Sequence, residues 1–226
     1  MIIKLLKKLF FLNYIANFIL NKVKIKRRSE VDSIPKHSVK KVNILNGSIL
    51  ANRKHLLEIL PKNGVVAELG VDSGDFTEQI IKISNPKKIY LIDTWSSKRY
   101  GQNKFDFVKK KFSDEIKSKK IEILRSNSIN AAKLFQNNYF DWIYIDTDHS
   151  YSTTSKELNT YENKIKTTGF ICGHDYVMGN WSKSNKYGVI ESVNEFLVKK
   201  NWKMVYWTSD FTESNSFAIQ RINTTK

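Results

Sequence analysis

From Ser48 onward the chain alternates short apolar runs with longer polar stretches in which apolar residues recur at helical spacing. The runs Val65 to Leu69, Ile89 to Ile92, Ile121 to Leu124, Trp142 to Ile145 and Phe170 to Cys172 predict strands. The stretches Leu50 to Leu60, Thr77 to Ile83, Phe105 to Phe112, Ala131 to Phe135, Thr154 to Ile165 and Val189 to Lys199 predict helices. Pro61, Asn63 and Gly64 close the helix ahead of the first strand. Such βα alternation predicts a parallel sheet with helices on both faces. At the end, Lys203 to Trp207 and Phe217 to Arg221 follow one another with no helix between them, which makes them an antiparallel pair. The expected fold is α/β and Rossmann-like: a seven-stranded, mostly parallel sheet with an antiparallel last strand. Trp181, Tyr187 and Trp202 fit core, active-site lid or subunit contact alike.

The first 28 residues break this pattern. Ile2, Ile3, Leu5, Leu6, Leu9, Phe10, Leu12, Ile15, Phe18 and Ile19 alternate with a polar stripe of Lys4, Lys8, Asn13, Asn17, Asn21 and Lys24. That predicts a basic amphipathic helix over residues 1–28. Its uncharged run, Leu9 to Asn21, is 13 residues with three Asn, short of the roughly 20 needed to span a bilayer. A basic block, Lys22 to Arg28, stands where a signal peptide would have its cleavage site, so export is disfavoured. The helix suits an anionic membrane surface, or packing on the rest of the chain or on a second subunit as a homo-oligomer. Residues 29–47, with few apolar positions and Pro35, read as a linker, leaving 48–226 as the folded domain.

Composition changes this picture little. At 226 residues and 41% hydrophobic, the chain can bury one sizeable core. A single cysteine, Cys172, excludes an internal disulfide and a Cys-x-x-Cys zinc site and fits a reducing, cytoplasmic setting, with the inner membrane face as a peripheral location. The net charge of +16 invites a nucleic-acid reading, yet +9 of it lies at or before Lys41 and only +7 in the remainder. A Lys-rich solvated surface accounts for the latter.

Chemistry is expected at the carboxyl ends of the strands, where open α/β sheets bind ligands. The first strand runs into Glu68-Leu69-Gly70-Val71-Asp72-Ser73-Gly74, whose glycines permit a tight turn against a ligand. The second ends in Asp93-Thr94-Trp95, a carboxylate positioned for ribose hydroxyls or, alternatively, a cap or turn. The glycine spacing is Gly-x-x-x-Gly with Asp72 inside it, unlike the dinucleotide fingerprint; a carboxylate there repels pyrophosphate and tolerates a phosphate-free nucleoside. That favours S-adenosyl-L-methionine. Ser126-Asn127-Ser128 follows the third strand and suits an adenine edge or a helix cap. Asp146, Asp148 and His149 follow the fourth strand, and His174 and Asp175 follow the fifth. Oxygen ligands from adjacent strand tips suit Mg²⁺, and histidine adds Mn²⁺ or Fe²⁺. Capping for the aspartates and a structural role for the histidines are the plain alternatives.

Ile145-Asp-Thr-Asp-His-Ser-Tyr151, Gly173-His-Asp-Tyr176 and Ile92-Asp-Thr-Trp95 resemble the class I S-adenosylmethionine-dependent methyltransferases, and within them the metal-assisted small-molecule O-methyltransferases often found beside sugar and capsule biosynthesis genes. The resemblance spans about Leu50 to Ile222. It implies that Gly70, Ser73, Gly74 and Thr77 cradle the methionine end, with Glu68 nearby. It places Asp93 at the ribose and Trp95, Asn127 and Ser128 at the adenine, with Thr94 also among the cofactor-binding residues. It also implies a divalent cation on Asp146 and on an acidic pair that here reads His174 and Asp175. His149 is the expected general base, with His174 second. The expected substrate is a hydroxyl of a sugar in a surface glycan or its precursor. A phenolic metabolite is the second acceptor class, and an inactive binding module at a membrane is the non-enzyme alternative. Nucleic acid is a poor acceptor, since the Asp/Asn-Pro-Pro-aromatic motif of amino-methylating enzymes is absent.

Overall fold

The computed structural model describes residues 2–180 and 185–222, with the backbone alone over 2–10, so Lys4 and Lys8 of the expected polar stripe and the indole of Trp181 lie outside the described side chains. Residues 1–35 and 36–226 form two separate compact units.

The first unit is one helix, α1 (Ile2–Ser33). It runs on past Arg28 because Glu30, Val31 and Asp32 all accept helical geometry; Pro35, which pushes its predecessor out of the α region, is the first residue to stop it.

The second unit contains, in chain order, β1 (Ser48–Leu50), α2 (Arg53–Ile59), β2 (Val65–Leu69), α3 (Asp75–Gln79, continued by a π turn over Ile80–Ser84), β3 (Lys88–Asp93), α4 (Gln102–Lys111), α5 (Ser113–Lys117), β4 (Ile121–Arg125), α6 (Ser128–Ala131), β5 (Phe140–Ile145), α7 (Tyr151–Tyr161), β6 (Ile165–Gly173), the short hairpin β7 (Gly179–Asn180) and β8 (Asn185–Lys186), α8 (Val189–Lys200), β9 (Trp202–Thr208) and β10 (Phe217–Arg221). The main sheet has the order β1-β9-β10-β6-β5-β2-β3-β4. Only β10 opposes the rest, lying antiparallel to both β6 and β9, as expected of the last strand.

Among the described residues the sheet has eight strands rather than seven. The extra one, β1, occupies the start of the segment expected to be helical from Leu50. Ser48 to Leu50 pair in parallel with Tyr206 to Thr208, and the helix begins only at Arg53, where the Asn52 side chain accepts from His55 N at 3.0 Å. Upstream, residues expected to be linker pack on the domain. Asn43, buried, donates from Nδ2 to the carbonyls of Leu197 (3.0 Å) and Trp202 (2.8 Å) and accepts from Lys40 N at 3.2 Å.

The central strands are apolar throughout because both faces are covered. Ala67, Leu69, Tyr90, Ile92, Ile143 and Ile145 point to one face, against Leu158 and Tyr161 of α7 and Val193 and Leu197 of α8. Val66, Ile89, Leu91, Trp142 and Tyr144 point to the other, against Leu56 and Leu57 of α2, Phe76 of α3 and Val108 of α4. Trp202 is core. The register aligns the strand tips: Leu69 pairs with Ile92 and with Ile145, and Ile145 with Gly173. Gly70, Asp93, Asp146 and His174 therefore leave the sheet side by side. β2 lies between β3 and β5, so the chain order reverses there, which is where α/β sheets open a crevice.

Candidate active site

At that reversal lies a cleft of about 570 Å³, of the size that holds small ligands and cofactors. Its walls include Glu68, Gly70, Ser73, Asp93, Thr94, Asn127, Ser128, Asp146, Asp148 and His149. The β2–α3 turn forms one side. Gly70 has φ +89, and a Cβ there would stand 1.9 Å from the Asp146 carbonyl oxygen; only glycine lets this turn pass the β5 tip. The Asp93 carboxylate shapes the same turn. Its Oδ2 accepts from Val71 N (2.8 Å) and Asp72 N (3.1 Å), and its Oδ1 from Trp95 N (3.0 Å). Three of the four lone-pair sites are thus used, and Oδ1 retains one. Asp72 is ion-paired with Lys104, which offsets the charge that argued against a phosphate.

Three residues expected at the cofactor, Trp95, Thr77 and Gly74, lie outside the cleft lining. Trp95 is fully buried and belongs to the hydrophobic layer under the sheet, with its Nε1 donating to the Asp72 carbonyl at 3.0 Å. A tryptophan after a strand tip can turn inward as readily as outward, and here a φ of +42 turns it inward. Thr77, also fully buried, donates its hydroxyl to Glu68 Oε2. Burial pushes the Glu68 carboxyl up to about 8, against the opposing hydrogen bond from Thr77. Gly74 (φ +73) precedes α3 and packs against Phe112 rather than lining the cleft.

At the other end the β5 and β6 tips converge. His149 Nε2 lies 3.2 Å from Asp146 Oδ1 and 2.9 Å from Asp175 Oδ2. One ligand atom from each of Asp146, His149 and Asp175 lies within 4.8 Å of the others. His174 flanks them, its Nδ1 3.7 Å from Asp146 Oδ2 and 3.6 Å from Asp175 Oδ2, and its buried Nε2 has no hydrogen-bond partner among the described residues. Both His149 (φ +61) and Asp175 (φ +56) adopt the left-handed region, a conformation non-glycine residues hold only where the surroundings enforce it. For His149 those surroundings are Gly188 N, donating to its carbonyl at 2.8 Å, and the Tyr187 ring 4.8 Å away. Burial works to lower the His149 pKa, but hydrogen bonds with Asp146 and Asp175 outweigh it and raise it to about 9. The same contacts, with His174 and Ser214, hold the Asp175 carboxyl well below the usual range even though burial pushes it upward. Asp148 stands apart and braces the start of α7, whose N-cap is Ser150: its Oδ1 accepts from Ser150 N at 2.9 Å and its Oδ2 from Thr153 Oγ1 at 2.7 Å.

Sequence reasoning missed Glu157. It lies on α7, fully buried at the cleft wall, and its carboxylate accepts from Ser128 Oγ (2.5 Å) and Thr147 Oγ1 (2.9 Å). It thereby ties the loop after β4 to the loop carrying Asp146. A signal was present: Thr154, Glu157, Leu158 and Tyr161 are the buried residues of α7, spaced to form one face, and a glutamate on such a face needs partners.

With a cleft beside a glycine turn at the sheet's reversal point and this strand order, the chain has the α/β Rossmann-like methyltransferase fold. More particularly, residues 67–176 match the family model described as "Methyltransferase domain". Similar solved structures include a protein of Clostridium thermocellum described as an rRNA-methylase (14% identity, 78% of this chain and 98% of that one, TM-score 0.59). The pyocyanin biosynthetic protein PhzM is also similar (10%, 75% and 54%, TM-score 0.57), as is a methyltransferase of Streptococcus mutans in complex with SAH (12%, 74% and 93%, TM-score 0.53). No curated protein matches the chain.

Proposed function

We propose that the chain is an S-adenosylmethionine-dependent O-methyltransferase acting on a small hydroxylated acceptor, with a sugar of a surface glycan or its precursor as the preferred class. The observation that carries this reading is the meeting of Asp146, His149 and Asp175 at the edge of the cofactor-sized cleft. Two carboxylates and an imidazole form a donor set that fits Mg²⁺, Mn²⁺ or Fe²⁺. A divalent cation held there supplies positive charge that lowers the pKa of a vicinal hydroxyl.

The chain's own residues do the rest. The turn from Gly70 to Ser73 receives the methionine end, Asp93 the ribose hydroxyls, and Asn127 and Ser128 the adenine edge. Thr77 and Trp95 act indirectly, Thr77 by fixing Glu68 and Trp95 by fixing the Asp72 carbonyl. In-line displacement at the sulfonium methyl depends on alignment, which the aligned strand tips provide. His149, placed among the ligand atoms, suits a ligand role as well as that of general base. His174, whose ring adjoins both carboxylates, is the second candidate for the base.

The test combines calorimetric titration of S-adenosylmethionine with a methyl-transfer screen over sugar and phenolic hydroxyl acceptors, before and after chelation. Cofactor binding with transfer that stops on chelation and returns with added Mg²⁺ or Mn²⁺ is expected. Full transfer after exhaustive chelation rejects the cation role, and failure to bind the cofactor rejects the enzyme reading.

A further inference from the structure

Helix α1 is a unit of its own, and every described side chain from Phe11 to Glu30 is exposed, including Phe11, Leu12, Ile15, Phe18 and Ile19. Asn13, Asn17 and Asn21 recur at four-residue spacing and form one stripe; Leu12, Ile15 and Ile19 lie on the opposite side, with Phe11 and Phe18 flanking them. The apolar band is bracketed by charge: Lys4, Lys7 and Lys8 precede it, and Lys22, Lys24, Lys26, Arg27 and Arg28 follow it, with no acidic residue before Glu30.

We propose that α1 docks the chain on an anionic phospholipid bilayer, lying in the interface with its apolar face toward the acyl chains and its basic ends among the headgroup phosphates. Length excludes crossing: 13 uncharged residues cover about 20 Å of helix against a hydrocarbon core of about 30 Å, and among the described residues no helix is long and apolar enough to span. The charge pattern argues against a second copy as the occupant. Because both ends of α1 are cationic, parallel and antiparallel pairing each set like charges together. Lys22 also falls in line with Phe11, Ile15 and Phe18 at the spacing of a helix–helix seam, where its ammonium would be buried. At a lipid interface the same position is favourable, since the stem lies along the apolar face while the ammonium reaches the phosphates. The helix already holds Lys22 in that posture, with Nζ 4.8 Å from the centre of the Phe18 ring. This proposal does not depend on the enzymatic reading.

The experiment is co-sedimentation of the full chain with phosphatidylcholine vesicles containing or lacking phosphatidylglycerol, at physiological salt. Binding only to the anionic vesicles is expected. Replacing Lys22, Lys24, Lys26, Arg27 and Arg28 together by Gln is expected to weaken it about fivefold per charge, and Ile15→Asn with Ile19→Asn to abolish it while the urea unfolding of the 36–226 unit stays unchanged. Equal binding to neutral vesicles, retention of binding in either variant, or self-association through α1 with no vesicle binding overturns the proposal. Binding to RNA at the same salt with none to vesicles overturns it as well.

Discussion

Replacing Glu157 by Gln tests the electrostatics of the cleft wall through stability alone. The Glu157 side chain is fully buried, and burial pushes its carboxyl from 4.5 up to about 7, against the hydrogen bonds from Ser128 and Thr147 that favour the charged form. An acid whose pKa is higher in the folded than in the unfolded chain stabilises the fold in its protonated state. The contribution is complete below the unfolded value of 4.5 and is lost as pH rises through about 7. At 1.36 kcal/mol for each tenfold change in proton affinity, the full effect is about 3 kcal/mol. Gln matches the shape and does not titrate, and each neighbouring hydroxyl can rotate to donate to its oxygen or accept from its nitrogen. Urea unfolding of both proteins across about pH 5 to 8 then reads the difference, in which Glu68 and the other titrating groups cancel. The wild-type chain is expected to lose stability relative to Glu157→Gln as pH rises, by up to the amount above. Parallel curves would show that Glu157 is solvated in the native protein, and a difference of opposite sign would show that its hydrogen bonds outweigh burial.

Gly70→Ala places a methyl group 1.9 Å from the Asp146 carbonyl at a φ of +89; a loss of about 2–4 kcal/mol together with cofactor binding is expected by denaturation and calorimetry, and a fully stable, fully binding variant would refute the close approach. Asp175→Asn removes one charged donor from the convergent set and is expected to weaken Mn²⁺ binding, measured by electron paramagnetic resonance, while leaving S-adenosylmethionine affinity in place; unchanged Mn²⁺ affinity removes Asp175 from the site. Asn43→Ala strands the carbonyls of Leu197 and Trp202 and is expected to cost about 2–4 kcal/mol in urea unfolding; a cost near zero would show that residues 36–47 are dispensable to the domain.

The fold was legible because a doubly covered sheet writes itself as apolar runs at intervals, and nothing else in this chain competes with that pattern. Val66 and Ala67 are both buried, on opposite faces, and so are Trp142 and Ile143. The exception is instructive. Ser48 to Leu50 is a three-residue edge strand whose side chains read exposed, exposed, buried, and its pairing is set by β9, which lies over 150 residues later. No local pattern encodes such a strand. Asn43 was illegible for the same reason: its burial depends on two carbonyls at residues 197 and 202.

The site divides along a similar line. Residues at the strand tips were legible because parallel register alone places Gly70, Asp93, Asp146 and His174 in one row. What register does not fix is the direction a side chain takes beyond the tip, where backbone dihedrals decide. Trp95, His149 and Asp175 all have positive φ. The first is thereby carried into the core, while the other two are carried toward each other, so His149 rather than His174 brings its ring nitrogen within hydrogen-bonding distance of both carboxylates. The conformation of His149 is tied in turn to Gly188, whose own Cβ position is filled by Tyr151 at 2.2 Å. A glycine ahead of α8 thus helps fix the geometry of a histidine ahead of α7, a coupling that spacing within either motif cannot express.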